Sequence, residues 1–276
     1  MDPEIAATGE NHGVVPRVAR LFTRRRVRAW AAGVLVLGWG LYAYMMATPG
    51  LIDRAGRFKG SDFIQYYVMG SLMLEGRADV LYDADAHLAE GRRRIHPELG
   101  LYAGHANYPP AIAVAFAPFA LLPFVSALGI FLGLSAIVYA LSIWLIWREC
   151  AALQEDRWLV VLIAGASPLF LTVVRYGQLS AFTLCFFAVA LAAFRRRRAF
   201  AAGLAIGMLA YKPQLGLVAG VVLLVCREWR AVCGAVTSVA GQLVIGWAVA
   251  GTAVMREYVS VLWTLMSNPA LVQLYP

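Results

Sequence analysis

Charge is what this chain has least of. Asp, Glu, Lys and Arg make up only 14% of its 276 residues, against about 25% in a soluble domain. That excludes an ordinary water-soluble globule. Lysine is nearly missing, since Lys59 and Lys212 stand alone among cations that are otherwise arginine. The four cysteines, Cys150, Cys185, Cys226 and Cys233, lie in or beside apolar runs without paired spacing. They read as inert buried thiols, which leaves no disulfide framework and no metal knot. No glycine-rich phosphate loop and no His-Glu-x-x-His motif occurs, which argues against an ATP-driven pump and a zinc peptidase. His87, His96 and His105 have no ligand spacing and are expected to be solvated.

What the chain has instead is apolar sequence. Hydrophobic residues make up 61% of it, and its mean hydropathy is +0.67. Apolar runs near or above the length of a bilayer crossing recur throughout. The predicted fold class is an all-α polytopic membrane protein. The net charge of +8 would suggest nucleic acid in a soluble protein. Here basic residues gather in short connections, where they fix orientation in the membrane, and no nucleic-acid partner is implied.

Residues 1–28 form a basic tail, expected in the cytoplasm, with Arg17, Arg20, Arg24, Arg25, Arg26 and Arg28. Residues 29–47 read as the first transmembrane helix. The segment 48–123 reads as an outer-face loop with interfacial helices. Within it, 48–110 holds eight of the sixteen acidic residues and three of the four histidines. Arg92, Arg93 and Arg94 count against an outer location, although long loops translocate largely regardless of charge. Residues 62–74 (DFIQYYVMGSLML) are predicted as an amphipathic helix lying on the membrane, with Asp62 near its start. Tyr108-Pro109-Pro110 opens the next apolar stretch, where proline suits a helix start. Residues 111–123 are short and interrupted by Pro118 and Pro123.

Residues 124–250 are expected to form a six-helix transmembrane module. If 111–123 only dips into the membrane, Arg148, Arg157 and Arg195 to Arg198 all fall inside, while Arg175 and Gln178 lie outside with Asp62. Residues 199–226 are flanked by arginines at both ends and so read as a hairpin with Tyr211-Lys212-Pro213-Gln214 at its tip. Arms of about 13 residues span about 20 Å of helix, less than the roughly 30 Å hydrocarbon core. Lys212 is therefore expected at membrane depth, where an ammonium needs a partner such as phosphate. Gly203-x3-Gly207 and Gly216-x3-Gly220 are expected to let backbones pack closely. Residues 231–250 read as a seventh crossing, and 251–276 as an outer-face segment touching the interface over 254–266.

Asp62 after the first helix, Tyr82-Asp83, Tyr108-Pro109-Pro110, Gly177-Gln178 and Lys212-Pro213 between glycine-rich arms occur in an order that resembles glycosyltransferase family 87. The resemblance covers nearly the whole chain. It implies a GT-C fold with a seven-helix module, similar to polyprenol-phosphate-mannose-dependent mannosyltransferases. It also implies that Asp62 is the catalytic base. The donor would be a polyprenyl-phosphate sugar, the acceptor a glycolipid or glycan hydroxyl, and the site would face outward from the plasma (inner) membrane among its lipids. Lys212 and Arg175 are the candidates to hold phosphate, and Gln178 and Tyr66 to bind sugar hydroxyls. The scheme needs no metal and no nucleotide cofactor. Family members continue with further helices, so an incomplete C-terminal region is expected.

Each residue also has a plainer reading. Asp62 caps a helix, Lys212 snorkels from a turn, Arg175 anchors a helix end, Gln178 satisfies a turn, and Tyr82-Asp83 packs or caps within the loop. Competing functions are another GT-C enzyme of protein-mannosyl, arabinosyl or aminoarabinose type, a transporter, and a non-catalytic membrane scaffold.

Overall fold

The structure, a computed structural model, describes residues 22–100 and 106–267. The readings of His105, of most of the basic tail and of the last residues of the chain lie outside it. Among the described residues the protein is all-helical, apart from one antiparallel bridge between Ile52 and Phe58. The helices are α1 (Arg24–Met46), α2 (Ser61–Leu74), α3 (Ala84–Arg94), α4 (Pro110–Phe116), α5 (Phe124–Glu149), α6 (Arg157–Gly165), α7 (Pro168–Tyr176), α8 (Ser180–Arg195), α9 (Ala199–Gly207), α10 (Pro213–Val225) and α11 (Trp229–Ser267). Three described helices, α1, α5 and α11, are long and apolar enough to cross a membrane, and α6 with α7, bent by 44°, is either a broken span or a re-entrant loop. This is an all-α polytopic membrane protein. Large exposed apolar side chains such as Trp30, Leu37, Val125, Leu217 and Trp263 suit a surface that meets lipid rather than water.

Proline and glycine explain the interruptions. Pro118 has no N–H to donate, and α4 tightens into a 3-10 turn over Ala117–Leu121 before Pro123 starts α5. α11 is two helical stretches that meet at a kink at Gly251, with φ 83° and ψ 174°, so the run 231–250 and the apolar stretch 254–266 fall on either side of that break.

The centre of the molecule is α2, and here the expectation of a surface helix is corrected. Phe63, Ile64, Tyr66, Tyr67, Val68, Met69, Gly70, Ser71 and Leu72 are all buried. The helix is apolar on nearly every face, the pattern of an enclosed helix rather than an interfacial one. Five rings, those of Tyr67, Phe116, Phe119, Phe124 and Phe131, surround Phe63 at 4.9–6.1 Å. Gly70 lets α4 cross in backbone contact, since a Cβ there would lie 2.5 Å from the Phe116 carbonyl oxygen.

The expectation of solvated histidines is corrected for His87, which is fully buried. It lies on α3, whose inner face packs on α2. His96 is half-buried edge-on to Phe58. The cysteines are free, but Cys226 and Cys233 lie on the exterior instead of in the core. Arg93 and Arg94 pair with Glu75 and with the buried Glu90, and Arg92 donates to the Leu99 carbonyl at 2.9 Å. The positive charge of this segment is thus largely met within it. Arg94 and Arg93 push the Glu75 carboxyl down to about 2.

Ion pairs gather the basic segments at one end. Arg24 pairs with Glu155, Arg28 with Asp156, and Arg196 with Glu149 at 2.8 Å. The start of α1, the α5–α6 connection and the end of α8 are therefore neighbours.

The two glycine pairs differ. Gly203 and Gly207 do allow close packing, but against α11. A Cβ on Gly203 would lie 1.9 Å from the Ala231 oxygen, and one on Gly207 2.4 Å from the Ala235 oxygen. A Cβ on Gly220 meets nothing within 4 Å, so the second pair does not serve as expected. Gly203→Ala should cost about 1–3 kcal/mol by overpacking, whereas Gly220→Ala should be neutral or slightly stabilising. Thermal unfolding of both variants in one detergent checks this. Equal midpoints for the two would contradict the packing assignment.

Candidate active site

Two turns assemble the site. Gly60 precedes α2 with φ 67°, and Gly177 follows α7 with φ 70°. Both occupy the left-handed region that glycine enters freely. The turns press together so closely that a Cβ on Gly177 would lie 2.7 Å from the Phe63 Cβ and 3.5 Å from the Gly60 Cα. The Gly60 N–H donates to the Arg175 carbonyl at 3.2 Å. Asp62 and Gln178 lie immediately beyond these two turns, and so they meet.

A chain of polar groups runs through the site. The Lys212 ammonium donates to Ser180 Oγ at 3.2 Å, and Ser180 donates to Gln178 Oε1 at 3.4 Å. The Gln178 side chain lies close enough to the Asp62 carboxylate to favour its ionised form. Ser61 Oγ adds a 3.4 Å contact to Asp62 Oδ1. Lys212 interrupts the apolar run between α9, its 3-10 extension Met208–Tyr211, and α10, with φ −120° and ψ 83°. Asp62, Gln178, Ser180 and Lys212 are all half-buried.

Tyr66 sits one turn after Asp62 on the same face of α2 and is 1% exposed. Its hydroxyl donates to the Tyr108 hydroxyl at 3.0 Å. That leaves the Tyr108 proton for another acceptor. The Tyr108 ring is edge-on to Tyr66 at 5.0 Å and stacked with Tyr211 at 6.4 Å. Tyr82 supports the segment before α4 by donating to the Tyr108 carbonyl at 2.8 Å, and Asp83 caps α3.

Arg175 is placed differently from the rest. Its guanidinium pairs with Asp53 at 3.1 Å and lies over the Tyr176 ring. Asp62, Gln178 and Lys212 are brought together; Arg175 stands behind them. Ser180, Tyr108 and Asp53 are site or supporting residues that sequence reasoning missed. Ser180 carried a usable signal, because it alternates with Gln178 at the start of α8.

Beside the cluster lies a cavity of about 440 Å³, a usual size for a small-ligand site. Phe116, Phe119, Phe131, Phe182, Phe186 and Met208 line its apolar body. Leu179 and Tyr211, the sequence neighbours of Gln178 and Lys212, are also in its lining, whereas Asp62, Gln178, Ser180 and Lys212 are not. Leu134, Met208 and Ile245 in its lining are solvent-accessible, so the cavity is not closed off.

Burial raises the Asp62 pKa above the usual aspartate value, against the opposing pull of Gln178, Ser61 and Lys212. Burial likewise raises Tyr66 and Tyr108, and the Asp62 carboxylate adds to both. These hydroxyls therefore stay protonated at neutral pH.

Fold and site together define a membrane-embedded helical protein with an acid–amide–ammonium chain beside an apolar cavity. The chain belongs to glycosyltransferase family 87, whose sequence model matches residues 107–273. It is a glycosyltransferase. The matched region takes in Tyr108, Gln178, Ser180 and Lys212 and begins after Asp62. No curated protein and no solved structure gives a significant match.

A carboxyl whose folded pKa is raised opposes folding when ionised. That cost is absent below the unfolded pKa and complete above the folded one. Asp62→Asn should therefore keep or raise the unfolding midpoint at pH 7, and any gain should vanish below about pH 4, the unfolded carboxyl value. A midpoint lowered at pH 7 and restored in acid would reverse the sign and contradict the burial argument.

Proposed function

We propose that the protein transfers a hexose, mannose in the first instance, from a polyprenyl-phosphate sugar to the hydroxyl of a glycolipid or glycan acceptor. The observation that carries this reading is an apolar cavity whose lining includes Leu179 and Tyr211, the sequence neighbours of Gln178 and Lys212. A donor with a long isoprenoid tail and a charged head needs an apolar space and a nearby cation. In this reading the tail takes the cavity and Lys212 supplies the cation.

In this scheme the acceptor hydroxyl lies between Asp62 and the anomeric carbon. Asp62 takes its proton as the oxygen bonds to that carbon. The bond from the anomeric carbon to the phosphate oxygen breaks, and the electron pair leaves with the polyprenyl phosphate. Attack opposite the leaving group inverts the centre. Lys212 stabilises the departing phosphate. Gln178, whose Oε1 is held by Ser180, lies beside the carboxylate and favours its ionised form. Tyr108, steadied by Tyr66, offers its hydroxyl proton to a sugar oxygen. Arg175 is committed to Asp53 and leaves the set of phosphate ligands.

We place the site on the outer face of the plasma (inner) membrane, with the N-terminus in the cytoplasm. The support is the gathering of the start of α1, the α5–α6 connection and the end of α8 by ion pairs. Arginine-rich connections favour the cytoplasmic side.

The test is sugar transfer from radiolabelled polyprenyl-phosphate mannose in membranes. Asp62→Asn should lose about 10²–10⁴-fold in kcat, the range for a general base, at equal protein level. Lys212→Met should raise the donor KM and lower kcat as well. Wild-type rates from Asp62→Asn would remove Asp62 from the chemistry. Transfer from a water-soluble nucleotide sugar at a comparable rate would overturn the lipid donor.

A further inference from the structure

Asp53 is the most enclosed acidic residue outside the site and the Glu90 cluster, at 5% exposure. The scheme above gives it no role. It stands in the loop between α1 and α2, where its Oδ1 accepts the backbone N–H groups of Ala55 at 2.8 Å and Arg57 at 3.0 Å. Its Oδ2 accepts from Arg175 Nη2 at 3.1 Å. The same loop is closed by the Asp53 N–H donating to the Arg57 carbonyl at 2.8 Å, and by Lys59 Nζ donating to the Thr48 and Gly50 carbonyls at 2.8 and 2.9 Å. Arg57 also reaches the Tyr176 hydroxyl at 3.5 Å.

The Arg175 main chain completes the connection. Its carbonyl receives the Gly60 N–H at 3.2 Å. Gly60 lies two residues before Asp62, and Arg175 three before Gln178. One residue thus uses its guanidinium to hold the loop and its carbonyl to hold the turn that starts α2. The carboxylate and the amide that contact each other in the site are attached to the two sides of this link.

We propose that Asp53 and Arg175 form a clamp that fixes the distance between Asp62 and Gln178, and that both are positioning residues for the transfer reaction. This rests on the reading of Asp62 as the base. Displacement of a reacting group by about 1 Å costs on the order of 10²-fold in rate. The clamp acts on kcat, because it sets the alignment of the base and touches neither donor nor acceptor.

Asp53→Asn separates the two halves of the device. The Asn oxygen still accepts from Ala55 and Arg57, while its amide presents N–H groups to a guanidinium that can only donate. The loop keeps its turn and loses its hold on Arg175. Arg175→Met removes the same link from the other side, and Arg175→Lys keeps one charged contact.

The experiment combines transfer kinetics with amide hydrogen exchange across 57–64 and 173–178. Asp53→Asn and Arg175→Met should each lower kcat by about 10²-fold with the donor KM unchanged. The double variant should be no worse than either single one, and Arg175→Lys should recover part of the rate. Exchange of the Gly60 amide should accelerate at least tenfold in both single variants, while peptides from α9 and α11 stay protected. A raised donor KM with kcat intact in Arg175→Met alone would make Arg175 a phosphate ligand and overturn the clamp. Unchanged exchange at Gly60 would overturn it equally. If the wild-type protein transferred no sugar, the proposed donor would fail while the exchange measurement still decided the clamp.

Discussion

The structure depends on one close approach, that of the Gly177 turn to the first turn of α2. Nothing larger than hydrogen fits between Gly177 and Phe63, so the contact is made by backbone. Backbone contacts are stiffer than side-chain contacts because no rotamer is available to relax them. The aromatic cluster around Phe63 supplies the cohesion that presses the turns together, and the left-handed glycines make the pressure tolerable. Asp62, Gln178 and, through Ser180, Lys212 inherit their arrangement from that junction. The candidate chemistry therefore stands on a rigid floor even though its members come from three distant parts of the chain.

The molecule divides its charges by function. At the basic end arginines meet Glu149, Glu155 and Asp156 on exposed surfaces, where each pair contributes little to stability. Around Glu75 and Glu90 the pairs are denser and partly enclosed, and they tie α3 to the end of α2. Lys212 is the exception to both patterns. Its hydrogen-bond partner is the Ser180 hydroxyl, and the Asp62 carboxylate acts on it from further along the polar chain. An ammonium held in this way retains most of its capacity to attract an anion.

The membrane class and most helix ends were legible in the sequence, because hydropathy and proline act locally. Pro118, Pro123 and Pro213 interrupt or start helices near where sequence reading set those boundaries. The position of α2 was not legible from its length or its neighbours. Its apolar residues lie on all faces, and Asp62 sits only at its start. His87 was misread for a related reason, since burial is a property of what packs over a residue. Gly216-x3-Gly220 has the same spacing as Gly203-x3-Gly207, and only the neighbouring helix distinguishes them. Within the site, Asp62, Gln178 and Lys212 stood out as polar residues in apolar surroundings. Ser180, and Tyr108 beyond its place in the Tyr-Pro-Pro run, were not assigned to the site, because their roles depend on contacts with residues 32 to 103 positions away.

The accessible apolar residues Leu134, Met208 and Ile245 in the cavity lining change how the supply of the proposed lipid donor must be counted. A donor entering through a gap there never leaves the lipid sheet, and its search takes place in two dimensions. The relevant concentration is then molecules per unit area of membrane, and it is unaffected by the volume of water outside. Diluting the vesicles would leave turnover unchanged, whereas adding inert lipid to the same vesicles would slow it. Competition for the gap would likewise come from bilayer neighbours, so membrane composition becomes part of the reaction conditions.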